Sequence, residues 1–222
     1  MQRVNIIFNT SIQQFLSPKP NNMKQLLLPF FFALFLASCG DKGKVKSVQK
    51  NEDGTTTTTT VDTEKMTEAS NEMEKKMEEL KKLPAMSTDQ LKALLPEEVQ
   101  GIKRSNFNAS SMMGYGYAEG EYQVDDTTSL KIDIYDCAGE AGSGIYGLNY
   151  WSKMSFQQES SKGYTKTIDF MGDKAVEQVD NDMNQSTLTY FANERLLVVL
   201  TGRNMKPDKL KDAAKSLNLK VS

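Results

Sequence analysis

The sequence predicts an α+β domain: an antiparallel sheet of about five to six strands with helices packed on it, preceded by a charged helix. Three observations predict it. Residues 115–124 and 129–136 alternate apolar and polar side chains around a turn-prone Asp-Asp-Thr-Thr, which marks an antiparallel hairpin. Four further strand-like runs follow at 163–171, 174–180, 186–193 and 196–203. Helical patterns stand before, between and after these strands instead of alternating with each one, so the sheet is not of the parallel βαβ kind. A chain of 222 residues with 38% apolar content supports one globular domain with a tail, not two large ones.

Composition removes several chemistries at once. The 27 Lys+Arg and 29 Asp+Glu leave a net charge of -2, which gives no basic footprint for nucleic acid. With no His, neither a Ser-His-Asp nor a Cys-His arrangement is possible, and no His-based metal site. Two Cys cannot build a four-cysteine zinc framework. The expectation is a protein with no metal, no cofactor and no catalytic residue.

The N-terminal stretch reads as targeting sequence. Residues 1–39 hold three basic residues (Arg3, Lys19, Lys24) and no acidic one. From Met23, Lys24 supplies a positive start, and an apolar run through Leu26, Phe30 and Leu36 follows, broken only by Pro29. This run is shorter than the roughly 20 residues that span a bilayer. It ends in Leu36-Ala37-Ser38-Cys39. Residues 36–39 resemble the lipobox of bacterial lipoproteins. That resemblance implies cleavage before Cys39, diacylglycerol on its sulfur, and acylation of the new N-terminus. It also implies a location on the envelope membrane. Gly40, not Asp, follows the cysteine, which favours the periplasmic side of the outer membrane. Residues 1–22 lie ahead of the positive start and read as a mis-assigned start, with Met23 the true one.

Residues 39–62, with six threonines at 55–60, are low in complexity and read as a disordered tether. Residues 63–83 are helix material. Met66, Ala69, Met73, Leu80 and Leu83 fall at heptad-like spacing, with Met77 alongside. This is a short amphipathic helix docked on its own domain or, alternatively, a weak coiled coil serving assembly. The globular domain is expected over 84–222. In it, Ser87 and Gln90 spell a capping box before Leu91, Leu94 and Leu95.

Within that domain, Ala118, Gly120 and Tyr122 share one face of the first strand, and Tyr117, Glu119 and Glu121 the other. Leu130, Ile132 and Ile134 point inward from the second, and Lys131 and Asp133 outward. Residues 196–200 are apolar on both faces and should form the central strand. Pro207 opens a last helix with an apolar stripe at Leu210, Ala213, Ala214 and Leu217. This arrangement is loosely similar to the PsbP-like fold, a central antiparallel sheet between helices.

Gly142, Gly144 and Gly147 spell GxGxxG. The strand before them is too polar for a Rossmann unit, so they read as a flexible loop before a helix over 145–158. Cys137 reads as a buried small hydrophobe, and the acidic groups Asp125, Asp126, Asp133, Asp136, Asp180 and Asp182 as solvated turn residues. The suggestive feature is aromatic. Tyr115, Tyr117, Tyr146, Tyr150 and Trp151, with small residues between them, form a candidate binding surface. The expected role is binding or protein interaction at the envelope. Its partner would be an envelope protein or a cell-wall ligand; the oligomeric state stays open. A structural role through residues 63–83 is the alternative, and a carboxylate-based hydrolase ranks below both.

Overall fold

The computed structural model describes residues 44–50, 56–112 and 114–220, with side chains described from residue 70 onward except those of Met113 and Trp151. Cys39 and the lipobox lie outside the described residues.

Strands β1 (Lys44–Lys50) and β2 (Thr56–Asp62) pair antiparallel, Lys44 opposite Asp62, within the stretch read as a tether. Helix α1 (Thr63–Lys81) follows, then α2 (Thr88–Ala93). The expected capping box closes α2: Gln90 N–H donates to Ser87 Oγ, and Ser87 N–H donates to the Gln90 side chain at 2.9 Å. A first meander comprises β3 (Glu98–Val99), β4 (Ile102–Met112), β5 (Tyr115–Gln123) and β6 (Ser129–Asp136). Helix α3 (Gly139–Asn149) and a 3₁₀ turn (Tyr150–Lys153) lead to β7 (Gln157–Ser160), β8 (Gly163–Phe170), β9 (Asp173–Asp180), β10 (Gln185–Ala192) and β11 (Leu196–Arg203). Helix α4 (Pro207–Ser216) ends the fold.

The two meanders join where β11 pairs antiparallel with β6, giving one sheet of nine strands in the order β3-β4-β5-β6-β11-β10-β9-β8-β7. The sheet is therefore larger than the five to six strands expected. The additional strands β3, β4 and β7 lie at its two edges, where half-exposed Ser, Asn and Gln carry no clean alternation. β11 stands fifth of the nine, the central position its two-sided apolar pattern requires.

Both faces carry helices. On one face Ile132, Ile134, Leu188, Val198 and Leu200 pack with Leu91 of α2 and with Leu210, Ala213 and Ala214 of α4. On the other, Leu197, Phe191 and Cys137 pack with Tyr146 of α3, Tyr150 and Leu80 of α1. Leu80 is 1% exposed, so α1 belongs to the fold and the domain starts before residue 84. Burying such a leucine contributes about 1.5–3 kcal/mol. The ion pairs of α1 are spaced i,i+3, Lys81 with Glu78 and Lys76 with Glu79, and Lys76 also reaches Glu194 of the β10–β11 turn at 2.6 Å.

The helix that follows β6 begins at Gly139, not near 145, so the GxGxxG glycines are helical and not a loop. Close packing explains them. A β-carbon at Gly142 would stand 2.7 Å from Asp136 O, and one at Gly147 would stand 2.8 Å from Met77 Sδ of α1. Gly142 thus seats α3 on the end of β6, and Gly147 lets α1 approach.

Candidate functional site

Helices α1 and α3 pack on the sheet face that carries Leu197 and Phe191. Beside α3, among the described residues, this face carries a groove of about 580 Å³. Its floor is Tyr135 of β6 with Leu197 and Val199 of β11; Ala141, Ile145 and Asn149 of α3 form one wall, and Tyr115 of β5 closes it. Strand register dictates this grouping, since Tyr135 stands opposite Leu197 on one side and Tyr117 on the other. The rings of Tyr117 and Tyr135 pack at 5.0 Å between centroids. The hydroxyls of Tyr115 and Tyr135 have no hydrogen-bond partner among the described residues. Burial pushes the Tyr135 phenol up to about 12, so it stays a neutral donor.

Next to the groove, on the same face of β5 and β6, lies a polar cluster. The Tyr117 hydroxyl is 2.7 Å from Oε2 of Glu119 and 2.7 Å from Oδ1 of Asp133. Lys131 Nζ reaches the same two oxygens, at 2.9 Å and 3.2 Å. Burial pushes the Asp133 carboxyl above the usual carboxylate range despite Tyr117 and Lys131. Burial also opposes ionisation of Glu119, but the hydrogen bonds from Tyr117 and Lys131 outweigh it and hold Glu119 below that range. Asp133, 6% exposed, is thus not a solvated turn residue, and the sheet face it occupies is not simply wet. The two acids are cross-strand neighbours sharing one phenol and one ammonium.

The candidate aromatic residues divide. Tyr115 lines the groove and Tyr117 adjoins it. Tyr146 and Tyr150, 4% and 5% exposed, belong to the core behind α3, where Tyr146 packs on Phe191 at 4.8 Å. The side chain of Trp151 lies outside the described residues. Tyr135, Ile145, Leu197 and Val199 complete the groove and were not singled out from sequence. Alternation puts Tyr135 on the face of Lys131 and Asp133, so hairpin register would have found it.

Other polar residues serve the fold. Asp136, wholly buried, pairs with Arg195 and is likewise no solvated turn residue. Glu177, 2% exposed, sits between Lys211 of α4 at 2.9 Å and Lys166 of β8 at 3.1 Å. Asp125 is the turn residue expected: its Oδ1 accepts from the N–H groups of Thr127 and Thr128 at 2.8 Å. Cys137 is buried, and burial pushes its thiol up to about 12. Among the described residues no group of three acidic, Cys or His side chains is placed to hold a metal ion, and no helix is long and apolar enough to cross a membrane.

No family model, curated protein or solved structure matches the chain, so the likeness to PsbP-like proteins has no counterpart among them.

Proposed function

We propose that the chain is a membrane-anchored envelope lipoprotein whose α+β domain is a binding module. Acyl chains on Cys39 hold it to the membrane, and the groove beside α3 takes a small, largely apolar ligand with a hydrogen-bonding group. The groove is the observation that carries the binding role. Its volume lies within the roughly 300–1,000 Å³ typical of ligand pockets. The apolar side chains of Ile145, Leu197 and Val199 stand beside the hydroxyls of Tyr115 and Tyr135, so an apolar body with one polar edge meets its complement. Assembly through residues 63–83 has less support, because Met77 and Leu80 are turned onto the domain itself.

Indole, an apolar ring with one N–H donor, is a suitable probe. Methyl NMR of the full chain in nanodiscs should show saturable shifts at Ile145 and Val199 on indole addition, with Ile134 on the opposite face unmoved. Ala141→Phe, which fills the groove, should abolish them. Absence of saturable shifts removes the binding reading. The anchor is tested separately. Mass spectrometry of the native protein should find the mature N-terminus at an acylated Cys39, and Cys39→Ala should leave the leader uncleaved.

A further inference from the structure

The sheet ends on one side in β7, four residues long, and on the other in the two-residue β3, which lies beside β4, eleven residues long. β3 covers only the start of β4, Glu98 opposite Lys103 and Val99 opposite Ile102. Over residues 105–112 no described strand pairs with the outer side of β4. Natural edges are guarded by charge, proline, a bulge or a covering element. Residues 105–112, Ser-Asn-Phe-Asn-Ala-Ser-Ser-Met, hold no charged residue and no proline. The one irregularity, between Arg104 and Asn106, sits at the β3 end; beyond it the ladder with β5 is regular to Met112. The Phe107 N–H is met by the side-chain oxygen of Asn106 at 2.9 Å, so it faces away from β5. Antiparallel alternation then turns the N–H and C=O of Ala109 and Ser111 outward as well.

We propose that this edge pairs with the same edge of a second copy of the chain, antiparallel about a two-fold axis at Ala109, joining two nine-stranded sheets into one. Charge and size select this occupant. Two-fold pairing sets a strand against itself, so a charged edge would repel its own copy; this one carries no charge. About Ala109 the opposed residues are Ala109 with Ala109, Asn108 with Ser110, and Phe107 with Ser111, so each of these three pairs holds a small side chain, and beyond them Asn106 meets Met112. Phe107, 42% exposed, has the cations of Lys92 and Arg104 each 4.8 Å from its ring centre. Ser111 of one copy therefore faces a ring flanked by two positive charges on the other.

That arrangement sets the test. The full chain in detergent should be dimeric by light scattering, and exchange at the Ala109 and Ser111 amides should slow as concentration rises. Ser111 is exposed, so its variants leave the monomer intact. Ser111→Lys brings an ammonium to Lys92 and Arg104 of the other copy and should weaken the dimer about tenfold or more. Ser111→Glu should strengthen it, and Met183→Lys, at a distant exposed turn, should change nothing. A monomer at every concentration up to about 100 μM, or a dimer on which the two Ser111 variants act alike, overturns the proposal. Neither result bears on the groove.

Discussion

Arg195 holds Asp136 through two hydrogen bonds, Nε to Oδ1 at 2.7 Å and Nη2 to Oδ2 at 2.9 Å. The carboxylate is wholly buried and also accepts from the N–H groups of Met86 at 2.7 Å and Ala138 at 3.1 Å. Arg195 in turn donates to the carbonyl of Pro84 at 2.8 Å. One ion pair thereby ties the link between α1 and α2, the end of β6 and the β10–β11 turn. It fixes where the helices enter and leave the sheet, and so where α3 stands over the groove.

Removing one member of this pair should be far more costly than its share of the surface suggests. Arg195→Met leaves Asp136 buried without its partner, and should lower the unfolding free energy by about 3–5 kcal/mol. Adding Asp136→Asn to that variant should recover part of the loss. Urea denaturation of the three proteins checks this; an additive double variant would mean that the two residues act independently.

The Tyr117 cluster makes stability depend on pH in a defined direction. A phenol has one hydrogen, yet Tyr117 lies 2.7 Å from two carboxyl oxygens. That one hydrogen cannot serve both oxygens at once, so Glu119 and Asp133 compete for it, and burial penalises the charged form of Asp133. The native state then holds the Asp133 proton to higher pH than the unfolded chain does. Its contribution is complete below the ordinary aspartate range and is lost as pH rises through the raised native value. Glu119, held low, acts the other way: its contribution is present above the ordinary glutamate range and is lost as pH falls through the lowered native value. Asp133→Asn stands in for the neutral acid and cannot titrate. Wild-type stability minus that of Asp133→Asn should therefore fall as pH is raised from about 4 to neutrality, read from urea melts at each pH. Parallel curves would place no proton on Asp133.

The patterns that proved legible in sequence were those set by burial on one element. The stripe at Leu210, Ala213 and Ala214, the inward Leu130, Ile132 and Ile134, and the two-sided apolar β11 each declare a face by their own spacing. What stayed hidden depends on a second element. Asp133 and Asp136 look like solvated acids until Tyr117 and Arg195, the latter 59 residues away, stand beside them. Tyr146 and Tyr150 look like surface aromatics until α1 closes over them, placing Leu80 in the same cluster. β4 offers no strong period, because an edge strand buries too little to impose one. For the site, Tyr115 and Tyr117 were visible as alternating residues, but the groove exists only once β11 and α3 supply its floor and wall.

Cys137 should be inert in the folded protein. It is 0% exposed, and burial raises its thiol to about 12, so access and thiolate are both scarce at neutral pH. In a Cys39→Ala background, reaction with a thiol reagent should proceed at the rate of unfolding and become fast in urea. Rapid labelling without denaturant would show that α3 lifts readily from the sheet.

The three glycines that imitate a nucleotide loop should respond differently to alanine, although all lie in α3. In an open helix position alanine gains about 0.5–1 kcal/mol over glycine. A β-carbon at Gly144 meets nothing within 4 Å, so Gly144→Ala should stabilise by that amount. At Gly147 the β-carbon meets Met77 Sδ at 2.8 Å, the flexible end of a long side chain; Met77 can swing aside, and the substitution should be close to neutral. At Gly142 the obstacles are Asp136 O and Cys137 C, both at 2.7 Å and both backbone. They cannot yield without moving β6 and the ion pair of Asp136 with Arg195, so Gly142→Ala should destabilise by about 1–3 kcal/mol despite its better helix propensity. Thermal melts of the three variants give the ranking directly. A uniform gain would mean that the glycines are conformational accidents. The order Gly144, Gly147, Gly142 from gain to loss would mean that they set how closely α3 approaches the sheet, and hence how wide the groove beside it is.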